Sequence, residues 1–308
     1  MMKEKNHVNT KVLILGAGAA GLSAAIYTAR AELEPVVLTG PTLGGQITLT
    51  ADVENYPGVP ERISGTELIM KFADQAEKFG AKLDYTSAQS IDFSQRPYLV
   101  ETERKIYHAE SLILATGSKA VTLNVPGESE LTGMGVSYCA TCDGAFFRGR
   151  NVAVIGGGKA AVEEALFLTR FASKVTIIHR RDQLRADTHA QTAVKANEKI
   201  DFIWDTVVTE VVGKDFVEAL RLKNVKSGEE SLVPFDGVFV FIGHKPISDL
   251  YEGKLQLENG LVVIDRRMRA SLPGVYAAGE TVDGEYRQLI VSAASGAQAA
   301  MSLIKDRG

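Results

Sequence analysis

The apolar positions of this chain fall in short continuous runs, each followed by glycine and then by a stretch rich in helix formers. Val12-Leu13-Ile14-Leu15 is the first, with no polar alternation, as in a parallel strand covered on both faces. Gly16-Ala17-Gly18-Ala19-Ala20-Gly21 follows at once, Leu22 to Ala31 favours helix, and Pro35 to Leu38 predicts a second strand. The same order recurs further on: a strand over Asn151–Ile155, a turn at Gly156-Gly157-Gly158-Lys159-Ala160-Ala161, a helix over Val162–Arg170 and a strand over Lys174–Ile178. From Gly16 to Gly156 the offset is 140 residues, domain-sized and far too long for a solenoid repeat.

Strand, then G-x-G-x-x-G, then helix is the context that a dinucleotide fingerprint requires. The glycines let the turn close and let backbone N–H groups approach a pyrophosphate at the helix N-terminus. Two such turns in register predict an α/β chain with two Rossmann-like dinucleotide-binding domains, as in an enzyme that passes electrons from a nicotinamide to a flavin.

The ends of the second strands differ. A carboxylate is expected there to hold a ribose. In the first unit the strand ends in Thr39-Gly40, and Glu32 and Glu34 come too early, which leaves Leu43-Gly44-Gly45-Gln46 as the nearest flexible backbone. In the second unit it ends in His179-Arg180-Arg181, with Arg185 one turn on. Guanidinium groups at that position suit a 2′-phosphate rather than a 2′-hydroxyl, so the second nucleotide is expected to be NADP(H).

Ala115-Thr116-Gly117-Ser118 and Phe241-Ile242-Gly243-His244-Lys245-Pro246 each read as an apolar strand ending in a glycine turn. They are expected to be the crossing points of a chain that leaves one domain, builds another and returns. On that reading the first domain is 1–118 plus 246–308, and 119–245 is an insertion whose short linkers fit hinges.

Composition narrows the setting. At 308 residues two domains are expected, and 45% hydrophobic with 23% charged residues excludes disordered and fibrous architectures. The net charge is −4, from 34 basic and 38 acidic residues, which argues against nucleic acid as the main partner. No secretory signal and no apolar run long enough to span a membrane is visible, and with two cysteines in all the expectation is a reducing, cytoplasmic setting.

Those cysteines form Cys139-Ala140-Thr141-Cys142, just before the second turn and followed by Asp143-Gly144. A C-x-x-C at this place reads as a dithiol–disulfide couple, in which one thiol pKa can fall far enough to supply a thiolate. Asp143 is placed to transfer the proton that each exchange needs. Zinc is the competing reading, but there is no second cysteine pair and the five histidines (His7, His108, His179, His189, His244) look scattered. A buried inert pair and a non-catalytic redox sensor are further alternatives. Tyr138 and Phe146-Phe147 flank the motif, with core packing the commoner fate of such aromatics and a partner contact the other.

These motifs together resemble the bacterial thioredoxin reductases of the low-molecular-weight type, over about Lys11 to Leu303. The carriers are Gly-Ala-Gly-Ala-Ala-Gly at 16–21, Gly-Gly-Gln at 44–46, Val-Glu-Asn-Tyr-Pro-Gly at 53–58, Cys-Ala-Thr-Cys-Asp-Gly at 139–144, Gly-Gly-Gly at 156–158, His-Arg-Arg at 179–181 with Arg185, and Tyr-Arg-Gln at 286–288. The resemblance implies FAD in the first domain, NADPH in the second, a homodimer, and the disulfide of thioredoxin as substrate. It implies flavin contacts from Gly16, Gly18, Ala19 and Gly21, from Thr39, Gly40, Gly44, Gly45 and Gln46, from Asn55, from Thr116 and Gly117, and from Gly279, Glu280, Arg287 and Gln288. It implies NADPH contacts from Gly156, Gly157, Gly158, His179, Arg180, Arg181 and Arg185. Cys142 would lie nearer the flavin, Cys139 would attack the substrate, and Asp143 would act as acid and base. A related disulfide reductase or dithiol oxidase with another protein partner is the alternative. Two residues depart from the usual pattern: Glu280 stands where an Asp is usual, and Lys159 where a small polar residue is usual.

Overall fold

Residues 5–40, 43–50 and 53–308 are described by the structure, a computed structural model. The chain divides into two compact units, one made of Met1–Lys119 with Lys245–Gly308 and the other of Ala120–His244. It crosses from one to the other beside Gly117 and Gly243, both with positive φ.

The first unit is built on β1 (Asn6–Leu15), α1 (Ala19–Arg30), β2 (Val36–Leu38), α2 (Gly65–Lys78), β3 (Lys82–Asp84), β4 (Ser90–Asp92), β5 (Tyr98–Glu101) and β6 (Lys105–Leu114). Its sheet runs β3-β2-β1-β6-β5-β4, and Val275–Ala277 pairs in parallel with the end of β6, beyond the reach of β5. The β1–β2, β1–β6 and β2–β3 pairs are parallel, whereas β5 and β4 add antiparallel. Val12, Leu13 and Ile14 are fully buried because helices cover one face of the sheet and the β5 side with Tyr251 and Leu255 covers the other. Truncating Ile14 to alanine is expected to cost about 2–5 kcal/mol. The first half of β1 alternates instead, since only one of its faces is covered. Helix α1 is alanine-rich and buried almost all round, lying against the sheet, α2 and the C-terminal helix Leu289–Arg307. There the backbones approach closely enough that a Cβ on Gly296 would stand 2.0 Å from the Ala20 carbonyl oxygen.

In chain order come β7 (Ser118–Ala120) at the first crossing and then, in the second unit, β8 (Val136–Ser137), α3 (Ala140–Asp143), β9 (Asn151–Ile155), α4 (Lys159–Leu168), β10 (Lys174–Ile178), α5 (Thr188–Lys195), β11 (Ile200–Ile203), β12 (Thr206–Gly213), β13 (Val217–Asn224), β14 (Glu230–Pro234) and β15 (Gly237–Val240). Five strands form a wholly parallel sheet, β11-β10-β9-β15-β8. The antiparallel ribbon β12-β13-β14 packs on one of its faces and α4 and α5 on the other. Both units are thus βαβ folds of the Rossmann type. Strands β9 and β10 have the bounds read from the sequence. The strands expected at Ala115 and Phe241 end one residue earlier, at Leu114 and Val240. Their amides still donate to Leu15 and Ile155, after which the partner strands turn away and the ladder stops. Among the described residues no helix is long and apolar enough to cross a membrane.

Candidate active site

Strand β8 delivers the dithiol. Cys139 is the N-cap of α3 and Cys142 lies three residues on, so one helical turn places both side chains together, Cα–Cα 5.3 Å, joined as a disulfide. The Cys142 amide donates to Cys139 Sγ at 3.2 Å. Ser137, a residue that sequence reasoning passed over, is buried at the end of β8. Its Oγ accepts the Cys139 amide at 3.1 Å and donates to Asp143 Oδ2 at 2.6 Å, fixing the carboxylate beside the disulfide-bearing turn. A lone serine closing an apolar run two residues before the first cysteine was the available signal.

The flanking aromatics divide. Tyr138 OH donates to buried Glu128 at 2.9 Å, and burial together with that bond raises the phenol above its usual pKa. Glu128 also accepts the amides of Leu123 and Asn124. Phe147 packs edge-on against Phe239 with centroids 5.1 Å apart, and Phe146 is exposed. Among the described residues no cluster of three or more His, Cys, Asp or Glu side chains is arranged for a metal. The histidines are not all scattered, however. His7 and His108 meet across β1 and β6, Nδ1 to Nε2 2.8 Å, because parallel pairing brings residues 101 positions apart side by side.

At the second glycine turn Gly156 has φ +145°, and a Cβ there would lie 2.4 Å from the Phe241 carbonyl oxygen. A Cβ on Gly157 would strike the His179 ring at 2.5 Å, so the ring edge fills the space a side chain would need. His179 is buried, its Nε2 has no partner, and burial first, then Arg185, Arg181 and Arg180, hold its pKa below the ordinary value. Its ring supplies shape beneath the turn. The Arg185 amide donates to the Gly157 carbonyl at 2.6 Å, tying the basic segment to the turn. Arg180, Arg181 and Arg185 are exposed and make no ion pair among the described residues, while the neighbouring Asp182 and Asp205 are both taken by Lys226. Lys159, the first residue of α4, extends towards Glu163 at 3.9 Å.

The first turn follows the same plan. Gly16 has φ +106°, and a Cβ there would lie 2.2 Å from the Ala115 carbonyl oxygen. Around it the unit gathers Thr39, Gly44 to Gln46, Thr116 to Ser118 and Gly279 to Thr281. Gly44 O faces Gly18, and Thr39 Oγ1 donates to Gly40 O at 2.7 Å. The Gly117 amide donates to Thr281 Oγ1 at 2.9 Å, and Thr116 Oγ1 to Ile247 O at 2.7 Å. Glu280 accepts from Ser118 Oγ and, at 3.2 Å, from Gln46 Nε2; burial raises its pKa against those bonds and the Arg287 charge. Asn55 Nδ2 reaches Gln288 Oε1 at 3.3 Å. Pro41 and Thr42, inside the stretch expected to touch a flavin, lie outside the described residues.

The two turns fit dinucleotide pyrophosphates on a direct observation. Helices α2 and α5 are capped by the side chains of Ser64 and Asp187, whereas α1 and α4 begin at Gly18 and Gly158 with no side-chain cap. Their first N–H groups are the ones left for an anion. The three exposed arginines beside the second turn, with no ion pair among the described residues, match a further phosphate there.

Comparison with known proteins agrees with this geometry. Residues 10–297 match the family model described as pyridine nucleotide-disulphide oxidoreductase. A thioredoxin reductase of Rickettsia felis is 46% identical over 304 residues, covering 97% of this chain and 98% of the relative. One from Streptomyces coelicolor is 46% identical over 294 residues, 94% of this chain and 91% of the relative. The crystal structure of thioredoxin reductase from Streptococcus pyogenes superposes with a TM-score of 0.92 at 42% identity, over 98% of this chain and 99% of that one. With paired glycine turns, a C-x-x-C disulfide and a match from end to end of both units, the chain belongs to the pyridine nucleotide-disulphide oxidoreductase family.

Proposed function

We propose that this chain is a thioredoxin reductase, taking two electrons from NADPH and delivering them to the disulfide of oxidised thioredoxin. The observation that carries the reading is the presence, in one unit, of the Cys139–Cys142 disulfide and a glycine turn flanked by three arginines that have no carboxylate partner among the described residues. The likeness to thioredoxin reductases over nearly the whole chain supports the substrate. FAD, when bound, supplies the two-electron relay between the nicotinamide and the dithiol.

The chain's own residues then have distinct tasks. Gly156 to Gly158 admit the NADPH pyrophosphate, and Arg180, Arg181 and Arg185 take the 2′-phosphate, with His179 shaping the turn beneath it. Gly16, Gly18 and Gly21 serve the FAD pyrophosphate, with Thr39 to Gln46, Asn55, Thr116, Gly117 and the 279–288 segment around it. In the reduced enzyme the Cys139 thiolate attacks one sulfur of the substrate disulfide, and the other substrate sulfur leaves as a thiolate and takes a proton. Cys142 as thiolate next attacks Cys139, re-forming the intrachain disulfide and releasing the second substrate sulfur. Asp143, held by Ser137, moves the proton at each exchange. The resemblance to the low-molecular-weight type further supports a cytoplasmic homodimer, for which sedimentation would give twice the 33.2 kDa chain mass.

The test is NADPH consumption by the FAD-loaded protein with and without oxidised thioredoxin. Thioredoxin-dependent turnover is expected. Flavin reduction without it would overturn the substrate and leave another disulfide partner.

A further inference from the structure

Two donors converge on the Cys139 sulfur. One is the Cys142 amide at 3.2 Å, the other the Thr141 hydroxyl, with Oγ1 3.4 Å from Sγ. A disulfide sulfur carries no hydrogen, so in this pair the hydroxyl is the donor. A disulfide sulfur is also a poor acceptor and a thiolate a good one, so both bonds strengthen when the S–S bond opens.

We infer that Thr141, with the Cys142 amide, forms a small anion cradle that selects Cys139 as the low-pKa thiolate and so sets the rate of attack on the substrate disulfide. The inference rests on the proposed role of Cys139 as the attacking thiol. The cradle comes from the turn itself. Cys139 caps a single turn of helix, so the amide three residues on points back at its side chain. Thr141, two residues on and exposed, sets its hydroxyl within 3.4 Å of the same sulfur. Attack forms a bond from Cys139 Sγ to one substrate sulfur while the substrate S–S bond breaks. No electrons are needed beyond the pair on the thiolate, which NADPH has already supplied.

The experiment uses the FAD-loaded enzyme, reduced with dithiothreitol, desalted without oxygen and pulsed with iodoacetamide between pH 5 and pH 9. Peptide mass spectrometry then reads alkylation at Cys139 and at Cys142 separately. In the wild type Cys139 is expected to react with the lower apparent pKa. Thr141→Val should slow Cys139 alkylation at pH 7 about threefold to tenfold, as expected when the thiolate fraction falls. Thr141→Ser, which keeps the hydroxyl, should restore it, and the Cys142 profile should move little in either. Thr141→Ala repeats the loss without the branched side chain. A wild-type profile led by Cys142 would overturn the attack assignment. A profile led by Cys139 that Thr141→Val and Thr141→Ala leave unchanged would overturn the Thr141 inference alone.

Discussion

The two glycine turns are the same device used for different ends. In each, a left-handed glycine sits against the carbonyl of the residue that follows the neighbouring parallel strand: Gly16 against Ala115, Gly156 against Phe241. In each, the helix begins uncapped. They part at the sixth position and at the next strand's end. Gly21 packs its helix so tightly that a Cβ would stand 1.9 Å from Gly16 O, whereas the second unit carries Ala161 there. After β2 the first unit turns Thr39 inward to Gly40 and draws its carboxylate, Glu280, from the far end of the chain. After β10 the second unit presents three exposed guanidinium groups that make no ion pair among the described residues. Backbone geometry leaves room for a dinucleotide in each unit, and on the proposed reading the residues beyond the second strand decide which one.

The comparison breaks most visibly at the dithiol, which only the second unit carries. Cys142→Ser should abolish thioredoxin reduction, a loss of about a thousandfold or more, while NADPH still bleaches the flavin in a stopped-flow trace. Wild-type-like turnover in that variant would remove the dithiol from the electron route. Next in size, Arg180→Gln with Arg181→Gln should raise the Michaelis constant for NADPH about tenfold to a hundredfold and change that for NADH little. Equal changes for both cofactors would refute the 2′-phosphate assignment.

Gly21→Ala probes the tighter of the two turns. It should destabilise the first unit by about 1–3 kcal/mol, read as a lower calorimetric transition and easier loss of flavin. A neutral result would mean that the helix can move away from Gly16 to admit a methyl group. The smallest effect concerns Glu280. Burial raises its pKa in the folded protein, so its contribution is full while it is protonated and is lost as pH rises through that raised value. Glu280→Gln should therefore leave the melting temperature unchanged near pH 4 and raise it by about 1–3 °C at pH 8. A variant less stable at pH 8 would show that the ionised carboxylate is the form the unit favours.

What could be read from the sequence is what short-range physics dictates. Continuous aliphatic runs need two covered faces, so β1, β9 and β10 were legible, as was each glycine turn behind its strand. The spacing of Cys139 and Cys142 already requires one helical turn between them. The basic run at 179–181 stands out because its position relative to the second strand gives it meaning.

The remainder was decided by chain segments far apart in sequence. Glu280 acquires its role because Ser118 and Gln46 meet it from 162 and 234 residues away. Strand β6 hid its full length since its first half, flanked by β1 and β5, is well covered on one face only and so alternates with polar residues. His179 stands in the sequence within a basic run, yet tertiary packing sets its buried ring edge against Gly157, where burial and the neighbouring arginines hold its pKa below the ordinary value. Period and spacing along a chain encode which faces must be covered and which turns must close. They do not encode which distant side chain arrives to cover a face or to share a proton, as Ser118 and Gln46 do at Glu280.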